Sequence, residues 1–305
     1  MGLELASSAS ICVSPWFNST LRWRIAETRF PPHNVAGMKR RQFLKSSVAT
    51  AGFAAALPTI VTRAAEKPEA AAREFYVLSL FHLRRGPKQK LFDDFLREAE
   101  LPALNRAGVG PIGVFNIATG PDNPTVYLLV PYKSLDVFAT IGARLRDDAE
   151  FMKAGAEAMN APATDPVYVR YESSLLVAFE GIPKLEVPKQ TAEKKPRLFE
   201  LRTYESHSKK ANKKKIEMFN IGEIAIFRRA GLAPVFFGET LVGTKLPNLT
   251  YMLVYDDMPA HDAAWKTFIA DPEWKKLSTT PGYTDPEIVS NINNVFLRPT
   301  PYSQI

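Results

Sequence analysis

A short alternating stretch in the second half of the chain decides the fold. It reads Leu198-Phe199-Glu200-Leu201-Arg202-Thr203-Tyr204-Glu205. Apolar Phe199 and Leu201 alternate with Glu200, Arg202 and Tyr204, and alternate side chains of an extended chain lie on opposite faces. The stretch therefore predicts a β-strand with one apolar face and one polar, charged face.

A comparable strand is predicted in the first half of the chain, from Phe75 to Phe81. At a spacing of about 124 residues, it has apolar or aromatic residues where the later strand has its polar ones. These residues are Tyr76, Leu78 and Leu80. The opening strands of the two halves therefore share one pattern, and only the strand of the second half has charged residues on its second face.

The order of predicted elements also repeats along the chain. Each half shows a strand, a helix, a hairpin of two strands, a second helix and a last strand. Within the two hairpins Pro111 matches Pro234, and Tyr127 matches Tyr251. We therefore assign a first repeat to residues 73–180 and a second repeat to residues 197–305. Residues 181–196 contain three prolines and are interpreted as a linker.

Two βαββαβ units predict an α+β protein that consists of two ferredoxin-like repeats. Each unit places both helices on one face of an antiparallel sheet and leaves the other face bare. Because a bare apolar face is unstable in water, we expect the two sheets to pack against each other. The result would be a pseudo-dimeric α/β barrel within one chain, with a cleft between the sheets.

The front of the chain resembles a twin-arginine export signal. Lys39-Arg40-Arg41 is followed by the weakly apolar run from Ser46 to Leu57 and by a cleavage site at Thr62-x-Ala64. We therefore interpret residues 38–64 as a signal peptide. The protein is then expected in the bacterial periplasm, with no transmembrane span after cleavage.

Residues 1–37 precede the first methionine of this signal, and we interpret them as the product of an upstream mis-start. The only cysteine, Cys12, lies there, so the remainder of the chain has no disulfide or thiol chemistry. Residues 1–64 also hold eight of the 39 Lys and Arg and two of the 32 acidic residues. Because the remainder is nearly neutral despite a net charge of +7, nucleic acid is excluded as a partner.

Several motifs of the second repeat resemble those of one family. They are Phe199-Glu200-Leu201-Arg202-Thr203-Tyr204, Arg229-Ala230-Gly231, Trp265 with Asp271-Pro272-Glu273-Trp274, and Leu297-Arg298-Pro299-Thr300-Pro301-Tyr302-Ser303. The family is NIPSNAP, within the dimeric α/β barrel superfamily, and the resemblance runs from about Arg73 to the C-terminus. The first repeat departs from the opening motif because Leu78 replaces the arginine.

The resemblance implies the barrel fold and no particular reaction. Eukaryotic relatives are mitochondrial and are linked to vesicle traffic and mitochondrial clearance. Related barrel families include cofactor-independent monooxygenases, haem enzymes and small-ligand binders.

The polar face of the opening strand is the main candidate site. If Phe199 and Leu201 pack under the helices, then Glu200, Arg202 and Tyr204 face the cleft. One interpretation is an ion pair that satisfies buried charges. The other is a ligand site in which Arg202 holds an anion or enolate oxygen, Glu200 orients it or takes a proton, and Tyr204 donates a hydrogen bond.

The first repeat is expected to complete this pocket. Tyr76, Leu78 and Leu80 would form its apolar wall. We count Tyr76 and Tyr251, together with the three polar residues, as the candidate ligand-binding set.

Other polar residues suggest less specific roles. His82 and His207 are expected at a solvated rim and His261 on an exposed helix start, and none has the spacing of a metal site. We therefore predict no metal and no cofactor, haem being possible in the superfamily but unsupported here. The lysines at 209, 210 and 213–215 are interpreted as a solvated helix face, or as a surface for an acidic partner or a lipid head group.

Two functions remain open from the sequence. The first is a binding or interaction module for an unknown protein or a small hydrophobic or anionic ligand. The second is a small-molecule enzyme, similar to a monooxygenase or an isomerase, that acts in the cleft between the sheets. Further association of chains into a homo-oligomer is compatible with both.

Overall fold

Eight strands close into one antiparallel barrel in the computed structural model, which describes residues 72–305. The strands are β1 (Phe75–His82), β2 (Gly113–Thr119), β3 (Thr125–Tyr132), β4 (Arg170–Ala178), β5 (Leu198–Glu205), β6 (Ala233–Val242), β7 (Asn248–Tyr255) and β8 (Asn291–Pro299). The interpreted mis-start and export signal lie outside the described residues.

Helices cover the outer surface of each repeat. They are α1 (Pro87–Phe95), α2 (Leu101–Arg106), α3 (Leu135–Arg146), α4 (Ala149–Ala154), α5 (Ala156–Met159), α6 (Lys189–Ala192), α7 (Lys209–Met218), α8 (Ile224–Ala230), α9 (Met258–Ala270), α10 (Pro272–Ser278) and α11 (Asp285–Ile288). Between residues 72 and 305, no helix combines the length and the apolar character needed to cross a membrane.

The order of strands around the barrel confirms the predicted fold class. It runs β1-β3-β2-β8-β5-β7-β6-β4, so each repeat contributes a four-stranded ferredoxin-like sheet. The two sheets meet at both edges, where β2 pairs with β8 and β4 pairs with β6. The chain therefore forms a pseudo-dimeric α/β barrel from two βαββαβ repeats, and each of the eight described strands pairs on both sides.

The true spacing of the repeats is 123 residues. In the first repeat Phe75 pairs with Tyr132, and in the second Leu198 pairs with Tyr255. The spacing of 124 residues between the opening strands, and between Tyr127 and Tyr251, is therefore wrong by one residue. The match of Pro111 with Pro234 has the correct spacing. Because side chains alternate along a strand, an error of one residue exchanges its two faces.

The polar face of β5 consequently lies outside the barrel, under the helices. Phe199 and Leu201 are in the buried cluster of the barrel interior, whereas Tyr204 packs in the cluster beneath the helices of the second repeat. The expectation that Glu200, Arg202 and Tyr204 face the cleft between the sheets is wrong. A barrel interior of this size has room for packed side chains and accepts the apolar face.

Aromatic rings fill the interior where the repeats meet. Phe115 and Phe199 come from different repeats, and their ring centroids are 4.8 Å apart. Tyr76 and Phe236 also come from different repeats, with centroids 5.1 Å apart. All four side chains are fully buried. These contacts tie the two sheets together.

Each repeat has one long helix that is interrupted by a π-helical turn. In the first repeat the turn is Leu96–Glu100, between α1 and α2, and in the second it is Phe219–Glu223, between α7 and α8. The two turns are again 123 residues apart. Such turns are rare and frequently occur at functional sites, which directs attention to the space under them.

A repeated ion pair fixes the outer helices. Arg106 donates to Asp148 from Nε and Nη2 over 2.9 and 2.7 Å, and Arg229 donates to Asp271 in the same way over 3.0 and 2.9 Å. Each aspartate also caps the N-terminus of the next helix, α4 or α10. The two aspartates are 123 residues apart, so the same structural feature is used in both repeats.

The segment between the repeats lies along the second repeat. Glu186 forms an exposed ion pair with Arg228, and the buried side chain of Gln190, in α6, donates to Asp256 over 2.7 Å. The division of the chain at residues 181–196 stays a prediction.

We predict that Phe115 and Phe199 are energetically coupled. Replacing either by alanine is expected to lower the free energy of unfolding by about 3–5 kcal/mol, because a large buried ring leaves a cavity. The double variant is expected to lose less than the sum, since each ring is already missing its partner. Urea unfolding of the four proteins measures this coupling. Additive losses would contradict the direct packing of the two sheets.

Candidate functional site

A fully buried carboxylate organises the space between β5 and the helices of the second repeat. Arg202 Nη1 donates to Glu200 Oε1 over 2.6 Å, and Asn294 Nδ2 donates to the same oxygen over 3.3 Å. Tyr255 Oη and Trp265 Nε1 donate to Oε2 over 3.0 and 3.1 Å. Each carboxylate oxygen of Glu200 therefore accepts hydrogen bonds from two donors.

The guanidinium group of Arg202 continues the network. It lies 4.6 Å from the ring centroid of Trp265, and its Nη2 donates to Tyr204 Oη over 3.2 Å. Tyr251 Oη in turn donates to Tyr204 Oη over 3.1 Å. Four of the five candidate residues, Glu200, Arg202, Tyr204 and Tyr251, are thus brought together, and Arg202 is in contact with the faces of two aromatic rings.

The electrostatics of this network favour the charged forms. Burial raises the pKa of Glu200, but the charge of Arg202 and the hydrogen bonds from Arg202, Asn294 and Trp265 outweigh burial and hold that pKa below its ordinary value. Arg202 has a raised pKa because nearby Tyr251, Tyr204 and Glu200 outweigh its burial. The geometry is that of an internal ion pair, and the guanidinium group is engaged by Glu200 and Tyr204.

A second buried ion pair lies beside the first. Lys215 Nζ is 3.2 Å from Glu223 Oε2, and the two side chains are 1% and 2% exposed. The ammonium group lies 5.5 Å from the ring centroid of Tyr204, 5.1 Å from that of Phe219 and 5.6 Å from that of Trp274. The interpretation of the whole lysine run as a solvated face is therefore wrong for Lys215.

Glu223 and Lys215 each shift the pKa of the other. Burial lowers the pKa of Lys215, but Glu223, Tyr204 and Asp285 outweigh it and raise that pKa. Burial raises the pKa of Glu223, and the ammonium group of Lys215 opposes that rise. A buried carboxylate at this position is thus stabilised by a cation within the chain.

The remaining sequence candidates lie elsewhere. Tyr76 is on the interior face of β1, away from the four residues of the network. His82 is buried, contrary to the expected solvated rim, and contacts Asp122 and Glu172 over 2.6 and 3.1 Å. His207 is exposed as expected.

The expectation that His261 lies exposed at a helix start is also wrong. Its side chain is only 15% exposed, and Nε2 lies 3.4 Å from Glu200 Oε2. Its ring packs edge-on against Tyr255, with centroids 4.9 Å apart. His261 therefore closes the helix side of the Glu200 network. Within the described part of the chain, no group of three or more His, Cys, Asp and Glu residues could hold a metal ion.

The predicted cleft between the sheets exists as a cavity of about 250 Å³ at one mouth of the barrel. Leu78 and Leu80 line it, as expected for the apolar wall. The polar lining is mainly neutral, however, and includes Thr203, Thr250 and Asn248. Arg202 and Glu200 do not reach this cavity because they are on the opposite face of β5.

A second cavity, of about 380 Å³, lies in the first repeat between the sheet and the helices. We call it the helix-side pocket. Its lining is apolar and aromatic apart from one carboxyl group, and it includes Phe81, Phe92, Phe95, Glu100, Met159 and Tyr168. By the spacing of 123 residues, Phe92 corresponds to Lys215 and Glu100 corresponds to Glu223. The pocket therefore occupies the place of the second buried ion pair.

Glu100 has a carboxyl group where the second repeat has that of Glu223, but Phe92 stands where the second repeat has Lys215. Among the described residues no side chain forms an ion pair or a hydrogen bond with Glu100, although it is half-buried. Burial raises the pKa of Glu100 to about 7. Sequence reasoning missed this residue, and the available signal was a glutamate at the same position of both repeats.

We predict that the Glu200 network stabilises the fold. Glu200→Gln and Arg202→Met are each expected to lower the free energy of unfolding by about 3–5 kcal/mol, because each leaves a buried partner uncompensated. The double variant is expected to recover part of this loss. Urea unfolding checks the expectation, with Arg228→Met as the control for an exposed pair, where the loss should be below about 1 kcal/mol. Single variants as stable as that control would contradict a structural role.

We also predict that Glu100→Gln stabilises the protein at high pH. The pKa of Glu100 is raised in the folded chain, so ionisation costs stability as pH rises from about 4.5 through 7. Compared with wild type, the variant should gain about 1–2 kcal/mol at pH 8 and little at pH 5. Urea unfolding at both pH values tests this, with the exposed Glu98→Gln as control. An equal effect at both pH values would contradict the burial of Glu100.

Solved structures of NIPSNAP proteins each align with about a third of this chain. An uncharacterised NIPSNAP-like domain protein from Burkholderia xenovorans is 20% identical over 34% of this chain and 85% of its own, with a TM-score of 0.31. A NIPSNAP family protein of unknown function from Agrobacterium tumefaciens is 15% identical over 34% and 88%, also with a TM-score of 0.31.

A structure of an anthrone oxidase-like protein covers both repeats. It is 12% identical over 76% of this chain and 93% of its own, with a TM-score of 0.42. A search of curated proteins gave no match. The family model for NIPSNAP matches residues 199–304. This match spans β5 to the C-terminus and includes the whole Glu200 network. Residues 199–304 are therefore identified as a NIPSNAP domain.

Proposed function

We propose that this protein binds a small, largely apolar molecule in the helix-side pocket of its first repeat. The observation that carries the proposal is the difference between the two repeats at one position of the fold. In the second repeat the space between sheet and helices is filled by two ion pairs and their aromatic neighbours. In the first repeat the same space is a cavity of about 380 Å³.

The lining of the pocket suits an aromatic or aliphatic ligand. Phe81 lines the pocket, with its ring centroid 4.7 Å from that of Phe92 and 5.5 Å from that of Tyr168. Rings at these distances present both faces and edges to a guest molecule. Apolar pockets with few polar groups are the common form of small-molecule sites, and Glu100 is the one charged group in this lining.

The pocket is also accessible from outside. Met159 and Tyr168 line it and are 39% and 42% exposed. Exposed apolar side chains of this size at the rim of a cavity are typical of a binding site. Met159 ends the short helix α5, and its unbranched side chain can adapt to the shape of a ligand.

The alternative hypothesis, an enzyme in the cleft between the sheets, loses the residues that we assigned to it. Arg202 was to hold an anion or enolate oxygen, but its guanidinium group is paired with Glu200 on the far side of the sheet. The polar groups of the cavity at the barrel mouth are mostly hydroxyl and amide groups, and the charged residues of its lining are Glu172 and Lys245. The hydroxyl and amide groups can position a ligand but do not take a proton at neutral pH, and the carboxylate of Glu172 is already engaged by His82 and Arg170. A binding function therefore has the better support.

We predict that filling the pocket abolishes binding. Ala158 lines the cavity, and Ala158→Phe places a ring in the space that a ligand would use. Titration calorimetry with 2-phenylethanol as the probe should show binding to wild type and at least a tenfold weaker affinity for this variant, which is about 1.4 kcal/mol.

Ala154→Phe is the matched control, because Ala154 is exposed on the neighbouring helix α4 and does not line the cavity. This control should bind like wild type. Equal binding by all three proteins would place the ligand elsewhere and contradict the proposed site.

A further inference from the structure

The second repeat shows how this position of the fold holds a cation. The ammonium group of Lys215 lies within 6 Å of three aromatic ring centroids, those of Tyr204, Phe219 and Trp274. It is paired with the carboxylate of Glu223. Aromatic faces and a carboxylate together form a recognised arrangement for an ammonium group.

The first repeat has part of this arrangement without the lysine. Glu100 stands where the second repeat has Glu223, and Phe81 stands where it has Tyr204, both on the lining of the pocket. Phe92 replaces Lys215, so the lining of the pocket contains no ammonium group. The pocket thus has a carboxyl group and aromatic rings, and lacks the cation that they surround in the other repeat.

A ligand with its own cation would complete the arrangement. An unpaired carboxylate in an apolar pocket is costly, and a neighbouring cation lowers this cost strongly because water does not screen the pair. A neutral ligand gains only from apolar burial and from one hydrogen bond. The pocket therefore discriminates between a neutral and a cationic ligand of the same shape.

We propose that the helix-side pocket takes a primary amine with an aromatic or aliphatic body, whose ammonium group pairs with Glu100 as Lys215 pairs with Glu223. This inference rests on the proposed function, because it names the class of ligand for the same pocket. The body of the amine packs between Phe81, Phe92 and Tyr168, and the ammonium group reaches the carboxyl group at the inner wall.

Other charged groups near Glu100 are accounted for by the structure. Tyr132, on β3, stays neutral because burial, followed by the charge of Glu100, raises its pKa to about 12. Arg97, on the same π-helical turn, forms ion pairs with Asp93, Asp94 and Glu98 at the surface. On the neighbouring helices, Glu150 pairs with Arg106, and Lys153 and Glu157 are exposed. Tyr168 faces the pocket with its ring.

The test compares two probes of the same shape, 2-phenylethylamine and 2-phenylethanol, by titration calorimetry on the full chain. At pH 8 the amine should bind at least about tenfold more tightly than the alcohol. The amine stays protonated between pH 6 and pH 8, whereas Glu100 ionises over this range. The affinity for the amine should therefore rise by about tenfold from pH 6 to pH 8, and that for the alcohol should change little.

Two variants locate the effect. Glu100→Gln should remove the preference for the amine and its pH dependence while the alcohol still binds. Glu98→Gln, which changes an exposed carboxylate on the same turn, should behave like wild type.

Equal affinities for the two probes would overturn the inference, and so would a preference for the amine that survives Glu100→Gln. Either result leaves the proposed function in place as long as the alcohol binds. If neither probe binds to wild type, the proposed function itself fails.

Discussion

Closure of the barrel is the constraint on which the rest of this structure depends. Each repeat has a four-stranded sheet with one face covered by helices, and the other face can be removed from water only against the second sheet. The pairs β2·β8 and β4·β6 join the sheets at both edges, and Phe115 and Phe199 fill the space between them. Because the packed centre of the interior is apolar, closure decides which side of β5 faces inward.

The polar residues of the second repeat follow from this requirement. Glu200 and Arg202 cannot lie in the apolar interior, so they are on the outer face of β5, where the helices cover them. Burial under the helices is tolerated only because each charge has partners, and Glu200 has four hydrogen-bond donors. The network thus reflects the cost of buried charge and stabilises the contact between helices and sheet.

The two repeats differ in what surrounds the glutamate side chain at one shared position. A glutamate ends the π-helical turn in both of them, as Glu100 and as Glu223. In each case the residue eight positions earlier faces the same space, and it is Lys215 in one repeat and Phe92 in the other. One repeat therefore contains its own cation, and the other has a cavity. The proposed ligand is consequently cationic, opposite in sign to the anion that we expected at Arg202.

The sequence predicts the strands, the order of elements and the barrel, because alternation and helical spacing repeat over long stretches. It misplaced the polar face of β5 because the repeats were compared at a spacing one residue too long, and strands have a period of two residues. Lys215 was wrongly expected on a solvated helix face because the side chains of a lysine run are usually exposed. Only its spacing from Glu223 indicates an ion-pair partner. The helix-side pocket was beyond prediction, since it depends on how side chains from several elements pack between the helices and the sheet.

The most direct measurement of the central claim is a carbon-13 NMR titration of the Glu100 carboxyl group in wild type and in Phe92→Lys, with the signal assigned by its loss in Glu100→Gln. The variant restores the cation that the second repeat has at this position. The account predicts a midpoint near 7 in wild type and a midpoint lower by more than about one pKa unit in Phe92→Lys. Midpoints that are equal in the two proteins, or a wild-type midpoint near the ordinary value of a glutamate, would contradict it.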